Sequence, residues 1–298
     1  PQRPRQEGRV VIQALSPARE AIKMAQLWRA VHGLTFPINA GALAQEWSRN
    51  VAPEAPIGEL QARELKGFEG GLFWLKERKV WALLYHPHPD LPGRSNFTVA
   101  HEFGHYVLHR KLQEAFQCSQ SATLGITGAR IEREADQFAS YLLMPIDDYT
   151  QQVRGRRITL DLLGECADRY GVSLTAAILK WLEFTDQPAV AVMGREGMLH
   201  WWKASGSAKK YTFGTLQEGM ELPLGSLAVS PDQALSNADY RLGVEHPEGV
   251  WPIRLPVREM VVLSDRYDMS ISLLILDTPG VEHPDAPDED MTTNLPSF

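Results

Sequence analysis

His101-Glu102-Phe103-Gly104-His105 is an H-E-x-x-H pentad. On a helix of 3.6 residues per turn, positions i and i+4 stack on one face. Two imidazoles are thereby brought to bear on a single ion. Glu102 sits one position on, close to that ion but angled away from it. In this arrangement the histidines are zinc ligands and the glutamate is the general base of a metalloprotease. A helix pattern extends around the pentad. Gly93-Arg94-Ser95-Asn96 supplies a stop and a cap, and a largely buried helix is expected over Phe97 to Arg110.

A catalytic zinc site takes three protein ligands. His109 lies a further i+4 step along, about 6 Å down the helix axis. Three histidines on one straight helix cannot converge on one ion, so His109 is expected as a second-shell or capping residue. The metzincin pattern is excluded, because its motif glycine and third histidine are Leu108 and Lys111 here. Downstream, Ile131 to Leu143 reads as an amphipathic helix stopped by Pro145. Glu132 and Asp136 face the same way on it. Glu132 is the expected third ligand, and Asp136 the acid that accepts a ring N–H from a ligand histidine. Glu134, turned by about 200° from Glu132, is the alternative.

Phe97 to His109, followed by Glu132 to the Leu142-Leu143-Met144-Pro145 end, resembles the ImmA/IrrE family of zinc metallopeptidases. Glu132-x-x-x-Asp136 is also similar to the glutamate-ligand pattern of gluzincins. The resemblance implies one catalytic Zn2+ held by His101, His105 and Glu132, with Glu102 as catalytic glutamate. It also implies a cytoplasmic protease whose substrate is a helix-turn-helix repressor of phage type. The chain departs from the pattern in a long Lys111 to Arg130 connection containing Cys118, Gly125 and Gly128, which is expected to act as a lid. No oxyanion donor is singled out: Tyr106, the His86/His88 loop and that connection are all candidates.

Composition is ordinary for a soluble globular protein. The 298 residues are 44% hydrophobic and 22% charged, enough for about two domains. A net charge of −7 argues against a protein whose main task is binding nucleic acid phosphates. Two cysteines, Cys118 and Cys166, make no disulfide framework and read as free thiols in a reducing cytosol. No apolar run of about 18 residues spans a membrane, and no apolar signal core follows Arg3, Arg5 and Arg9.

Working outward, residues 1–16 read as a flexible lead with a possible strand at Val10-Val11-Ile12. Residues 17–153 form a zincin-like peptidase domain. It opens with a helix from Ser16-Pro17 to Gly33 and a second over Pro37 to Arg49, where Ala42, Leu43 and Trp47 share a side. A β-hairpin is expected from Phe68 to Tyr85, turning at Lys76-Glu77-Arg78-Lys79. One of its strand edges is a candidate partner for an extended peptide. The His86-Pro87-His88 stretch reads as a loop.

Residues 154–187 form a helix-turn-helix-like pair, Leu160 to Tyr170 and Ser173 to Phe184. Five basic and five acidic side chains between Arg154 and Asp186 leave little beyond Lys180 to reach a base, so direct nucleic acid binding is not expected. Residues 188–280 are strand-rich and stand where longer family members carry a sensor-like domain similar to GAF domains. Residues 281–298 read as an acidic disordered tail. The fold class is therefore α+β. The expected function is a zinc endopeptidase that cleaves a repressor; the alternative is a regulatory protein that binds a partner or DNA through regions after residue 153 without turnover.

Overall fold

The computed structural model describes residues 15–118, 126–230, 234–264 and 268–278. The Val10-Val11-Ile12 strand, the middle of the proposed lid and the acidic tail lie outside them. The chain divides into two compact units, Pro1–Pro145 and Ile146–Phe298, both mixing helices and sheet. Among the described residues no helix is long and apolar enough to cross a membrane.

The first unit contains α1 (Pro17–His32), α2 (Ala40–Val51), β1 (Ile57–Ala62), β2 (Gly70–Leu75), β3 (Val80–Tyr85), α3 (Pro92–His109), β4 (Ala115–Cys118) and α4 (Ile126–Leu143). The aromatic and β-branched run predicted as a hairpin is one, with Leu75 opposite Val80 and Gly70 opposite Tyr85. Its turn closes through Lys79 in the left-handed region, at φ 52°. Two further strands complete the sheet in the order β1-β3-β2-β4, with β1 parallel to β3 and β4 antiparallel to β2. Neither outer strand is apparent in the sequence, since β1 is mixed in polarity and β4 is only four residues long.

Leu72 and Leu83 from the sheet are fully buried, as are Phe103 and Tyr106 of α3 and Phe138 and Leu142 of α4. Phe103 and Phe138 meet edge to face at 5.5 Å. Gly104 lets the two helices come this close. A Cβ added there would lie 3.1 Å from Phe138 Cδ1 and 3.2 Å from the Ala135 Cα.

Two sequence expectations change in this unit. Helix α3 begins at Pro92, five residues before Phe97, because the expected capping side chains are used elsewhere. Ser95 Oγ accepts from the His88 amide, while Asn96 accepts from the Ala40 amide and donates to the Ile38 carbonyl. Proline at the first turn, with no N–H to satisfy, starts the helix instead. On α2 the buried face is Ala40, Leu43, Ala44 and Ser48, and Ala42 is exposed. On α1 only Ala21, Met24 and Ala25 are buried, and Leu27 and Val31 face outward.

The second unit contains α5 (Ile146–Val153), α6 (Leu160–Tyr170), α7 (Leu174–Phe184), β5 (Ala189–Arg195), β6 (Met198–Ala204), α8 (Lys209–Thr212), α9 (Asn237–Leu242), β7 (Val244–His246), β8 (Val257–Ser264) and β9 (Met269–Leu276). Thr159 and Ser173 cap α6 and α7 with their side chains, and Gly171 ends α6 at φ 60°. Lys180, the one basic residue the sequence offered for contact on α7, is buried and paired with Glu183 at 3.1 Å. The strands form one antiparallel sheet, β6-β5-β9-β8-β7. Its core holds Val192, Leu199, Trp251 and Leu274, with Trp202 packed against it.

Gly104→Val tests the α3–α4 contact. An exposed helical glycine costs about 1 kcal/mol relative to alanine, but here the added carbons overlap Phe138 and the α4 backbone. The variant is expected to lose about 1–3 kcal/mol in urea unfolding.

Candidate metal centre

The i,i+4 spacing places His101 and His105 on one face of α3, where it turns towards α4. Both rings aim Nε2 inward, and these atoms are 3.1 Å apart. Glu132 enters from α4 with one oxygen on each ring: Oε2 is 3.3 Å from His101 Nε2, and Oε1 is 3.5 Å from His105 Nε2. Nitrogen and oxygen donors around a tetrahedral zinc, with bonds of about 2.0–2.2 Å, stand roughly 3.3–3.6 Å from each other. The three side chains therefore fit one small cation with only slight adjustment.

A fourth donor joins them. Cys118 Sγ at the end of β4 is 3.3 Å from His105 Nε2 and 3.8 Å from Glu132 Oε1. The ligating atoms of His101, His105, Cys118 and Glu132 all lie within 4.8 Å of one another.

The outer ring nitrogens are tied down. His101 Nδ1 is 2.9 Å from Asp136 Oδ1, one helical turn beyond Glu132. That pairing makes Nδ1 the donor and leaves the Nε2 lone pair facing the site. His105 Nδ1 meets His109 Nδ1 at 3.1 Å, and His109 Nε2 meets Glu134 Oε2 at 2.9 Å. Glu134 in turn accepts from Arg130 Nε at 2.7 Å. A chain of donors from His105 through His109 to Glu134 fixes the second ring in the same sense. His109 thus sits behind His105, and Glu134 holds His109 without reaching the ligand cluster.

The electrostatics reflect crowding of donors. Burial disfavours a charged His101, but hydrogen bonds to Asp136 and Glu132 and the nearby Glu102 charge outweigh it, raising its pKa to about 10. His105 is lowered to about 4, first by burial, with the His101 and His109 charges adding to it against Glu132. Glu132 opposes its own burial through both imidazoles and is held well below the usual carboxylate range. Burial and the Glu102 and Glu132 charges push the Cys118 thiol far up.

Glu102 stands apart from this pairing. It is fully buried, and neither carboxylate oxygen has a hydrogen-bond partner among the described residues. Burial raises its pKa to about 7, opposed by His101 and the adjacent Cys118 thiol. Gly70 of β2 makes room for it: a Cβ at that position would stand 2.7 Å from Glu102 Oε1. A buried carboxylate near neutrality, beside a set of metal donors, has the properties of a proton carrier.

Residues 61–182 match the profile of the Peptidase M78 family, described as the IrrE N-terminal-like domain. That stretch is similar to an M78 peptidase domain. This is the family group to which the ImmA/IrrE motifs pointed, and all the site residues named above fall within the matched span. No curated protein matches the chain. Among solved structures, a Mycobacterium tuberculosis transcriptional regulator is similar in fold, with a TM-score of 0.53 over 87% of this chain and 76% of that one, at 12% sequence identity.

Sequence reasoning missed Cys118 and read it as an ordinary thiol. Alternation along β4 carried the signal, because Phe116 and Cys118 point to the same side. Phe116 stacks on the His105 ring at 4.7 Å, which brings Cys118 over the same imidazole. Of the proposed oxyanion donors, Tyr106 is removed: it is buried and its hydroxyl donates to the Ala55 carbonyl at 2.8 Å. His88 is paired with Glu69 at 2.8 Å.

Asp136→Asn tests the outer ring of partners. The amide keeps the shape but loses the charge that orients His101, and metal affinity is expected to fall about 10–100-fold. Competition with a chromophoric chelator measures it, with circular dichroism reporting an unchanged fold.

Proposed function

We propose that the chain is a zinc-dependent endopeptidase acting on a protein substrate, a helix-turn-helix transcriptional repressor. Supporting this reading is one observation above all: two imidazoles and the Glu132 carboxylate converge on one point while Glu102, buried and unpaired, stands beside it. His101, His105 and Glu132 would hold the zinc. When bound, it would supply Lewis acidity, polarising the scissile carbonyl and lowering the pKa of water towards neutrality.

The chain's own residues do the rest. Glu102 takes a proton from the attacking water and passes it to the leaving amine. Its burial leaves few competing donors, so the proton goes to the reacting atoms. Asp136 and the His109–Glu134 pair keep both imidazoles turned inward throughout. An extended substrate would lie along the end strand of the first sheet, where β4 is paired only on its β2 side among the described strands.

The same reading divides the chain into a zincin-like domain over 17–153, a helix-turn-helix-like segment over 154–187 and a sensor-like β-rich domain over 188–280. Burial of Lys180 favours a scaffold role for α7 over reading bases. A cytoplasmic location suits both a repressor substrate and the reduced state of Cys118.

Co-expression with small helix-turn-helix repressors as candidate substrates tests the proposal. Cleavage is expected with the natural chain. It should fall by at least about 10³-fold with Glu102→Gln, the scale of losing a general base or nucleophile-activating group, while one zinc per chain is retained. Cleavage that survives Glu102→Gln would overturn the assignment.

A further inference from the structure

We infer that Cys118 is a fourth, releasable metal ligand that closes the site at rest. The inference rests on the peptidase reading above and concerns how that site is kept silent.

Cys118 stands at ligand spacing from two of the other three donors, and all four lie within 4.8 Å of one another. A sulfur bound at about 2.3 Å and a nitrogen at about 2.0–2.1 Å on the same zinc are roughly 3.5 Å apart. Cys118 Sγ stands 3.3 Å from His105 Nε2 and 3.8 Å from Glu132 Oε1, on either side of that value. Four protein ligands leave no position for water, whereas a catalytic site keeps one open. A permanently closed, structural ion would have no use for Glu102. Yet Glu102 is fully buried and without a hydrogen-bond partner among the described residues. A closed set of ligands and a waiting proton carrier are both accounted for when the fourth ligand can leave.

The thiol is placed by the sheet. Cys118 lies opposite Gly70 in the β2–β4 ladder, and its carbonyl accepts from the Glu69 amide at 3.0 Å. Phe116, two residues earlier, packs on His105. Strand β4 is therefore the element that seats the sulfur, and it is the end strand of its sheet. A peptide that pairs with the outer edge of β4 bears directly on the strand that carries the latch. On coordination the thiol gives its proton to solvent and forms one metal–sulfur bond; on release that bond breaks, the thiolate takes a proton back and water enters.

X-ray absorption at the zinc edge, on the full chain kept under a thiol reductant, tests this directly. The expected spectrum has one sulfur at about 2.3 Å with the remaining ligands nitrogen or oxygen. In Cys118→Ser the sulfur should vanish while one zinc per chain remains. The cobalt-substituted Cys118→Ser chain should bind acetohydroxamate at least about tenfold more tightly than the cobalt-substituted natural chain, a difference of about 1.4 kcal/mol. A natural chain with only nitrogen and oxygen around zinc overturns the latch and leaves the peptidase reading intact. Loss of zinc from Cys118→Ser by more than about 10³-fold, or 4 kcal/mol, makes the cysteine a structural ligand and overturns the latch together with the peptidase reading.

Discussion

Two imidazole nitrogens 3.1 Å apart, with a carboxylate bridging them, set the terms for the first unit of this protein. Lone pairs aimed at one buried point repel unless a positive charge lies between them. Without a cation, hydrogen bonds to Asp136 and Glu132 favour a proton on His101, while burial disfavours one on His105. A divalent cation satisfies all the donors at once and displaces that proton. Other features of the site follow from that demand. Asp136 and the His109–Glu134 pair take the outward ring nitrogens, so that the inward ones stay free to bind.

Such a cluster also requires close helices. Glu132 reaches the histidines because α3 and α4 pack with no side chain at Gly104. The same pentad that carries the ligands therefore carries the residue that lets the second helix approach. Gly70 has a matching role from the sheet, clearing the space that the Glu102 carboxylate fills. Helix packing and electrostatics meet at neighbouring positions of the pentad, and Gly70 joins them from the sheet.

Much of this was legible in the residues themselves. Helical spacing gave His101 and His105 one shared direction and Glu132 and Asp136 another, and the structure brings the two pairs together. The hairpin, α6 and α7 were equally readable, because their caps and turns are local: Thr159, Gly171 and Ser173 act within four residues of where they stand. What escaped depends on distant partners. Ser95 and Asn96 look like caps but bond to His88 and to the chain at 38–40, so the start of α3 moved to Pro92. Cys118 has no local signature, since its meaning comes from the pairing of β4 with β2. Glu134 was a possible ligand by type and acquires its place only from His109. The buried Glu259 in the second unit, held by Trp251, Ser272 and the Leu227 amide, was equally invisible, because those three partners are far apart in sequence.

The most direct test of the account is a crystal structure of the zinc-loaded chain with anomalous data on both sides of the zinc absorption edge. The account predicts one zinc peak per chain, within about 2.2 Å of His101 Nε2, His105 Nε2 and a Glu132 oxygen, with Glu102 beside it and uncoordinated. A peak at any other cluster, or a zinc held without Glu132, would contradict it.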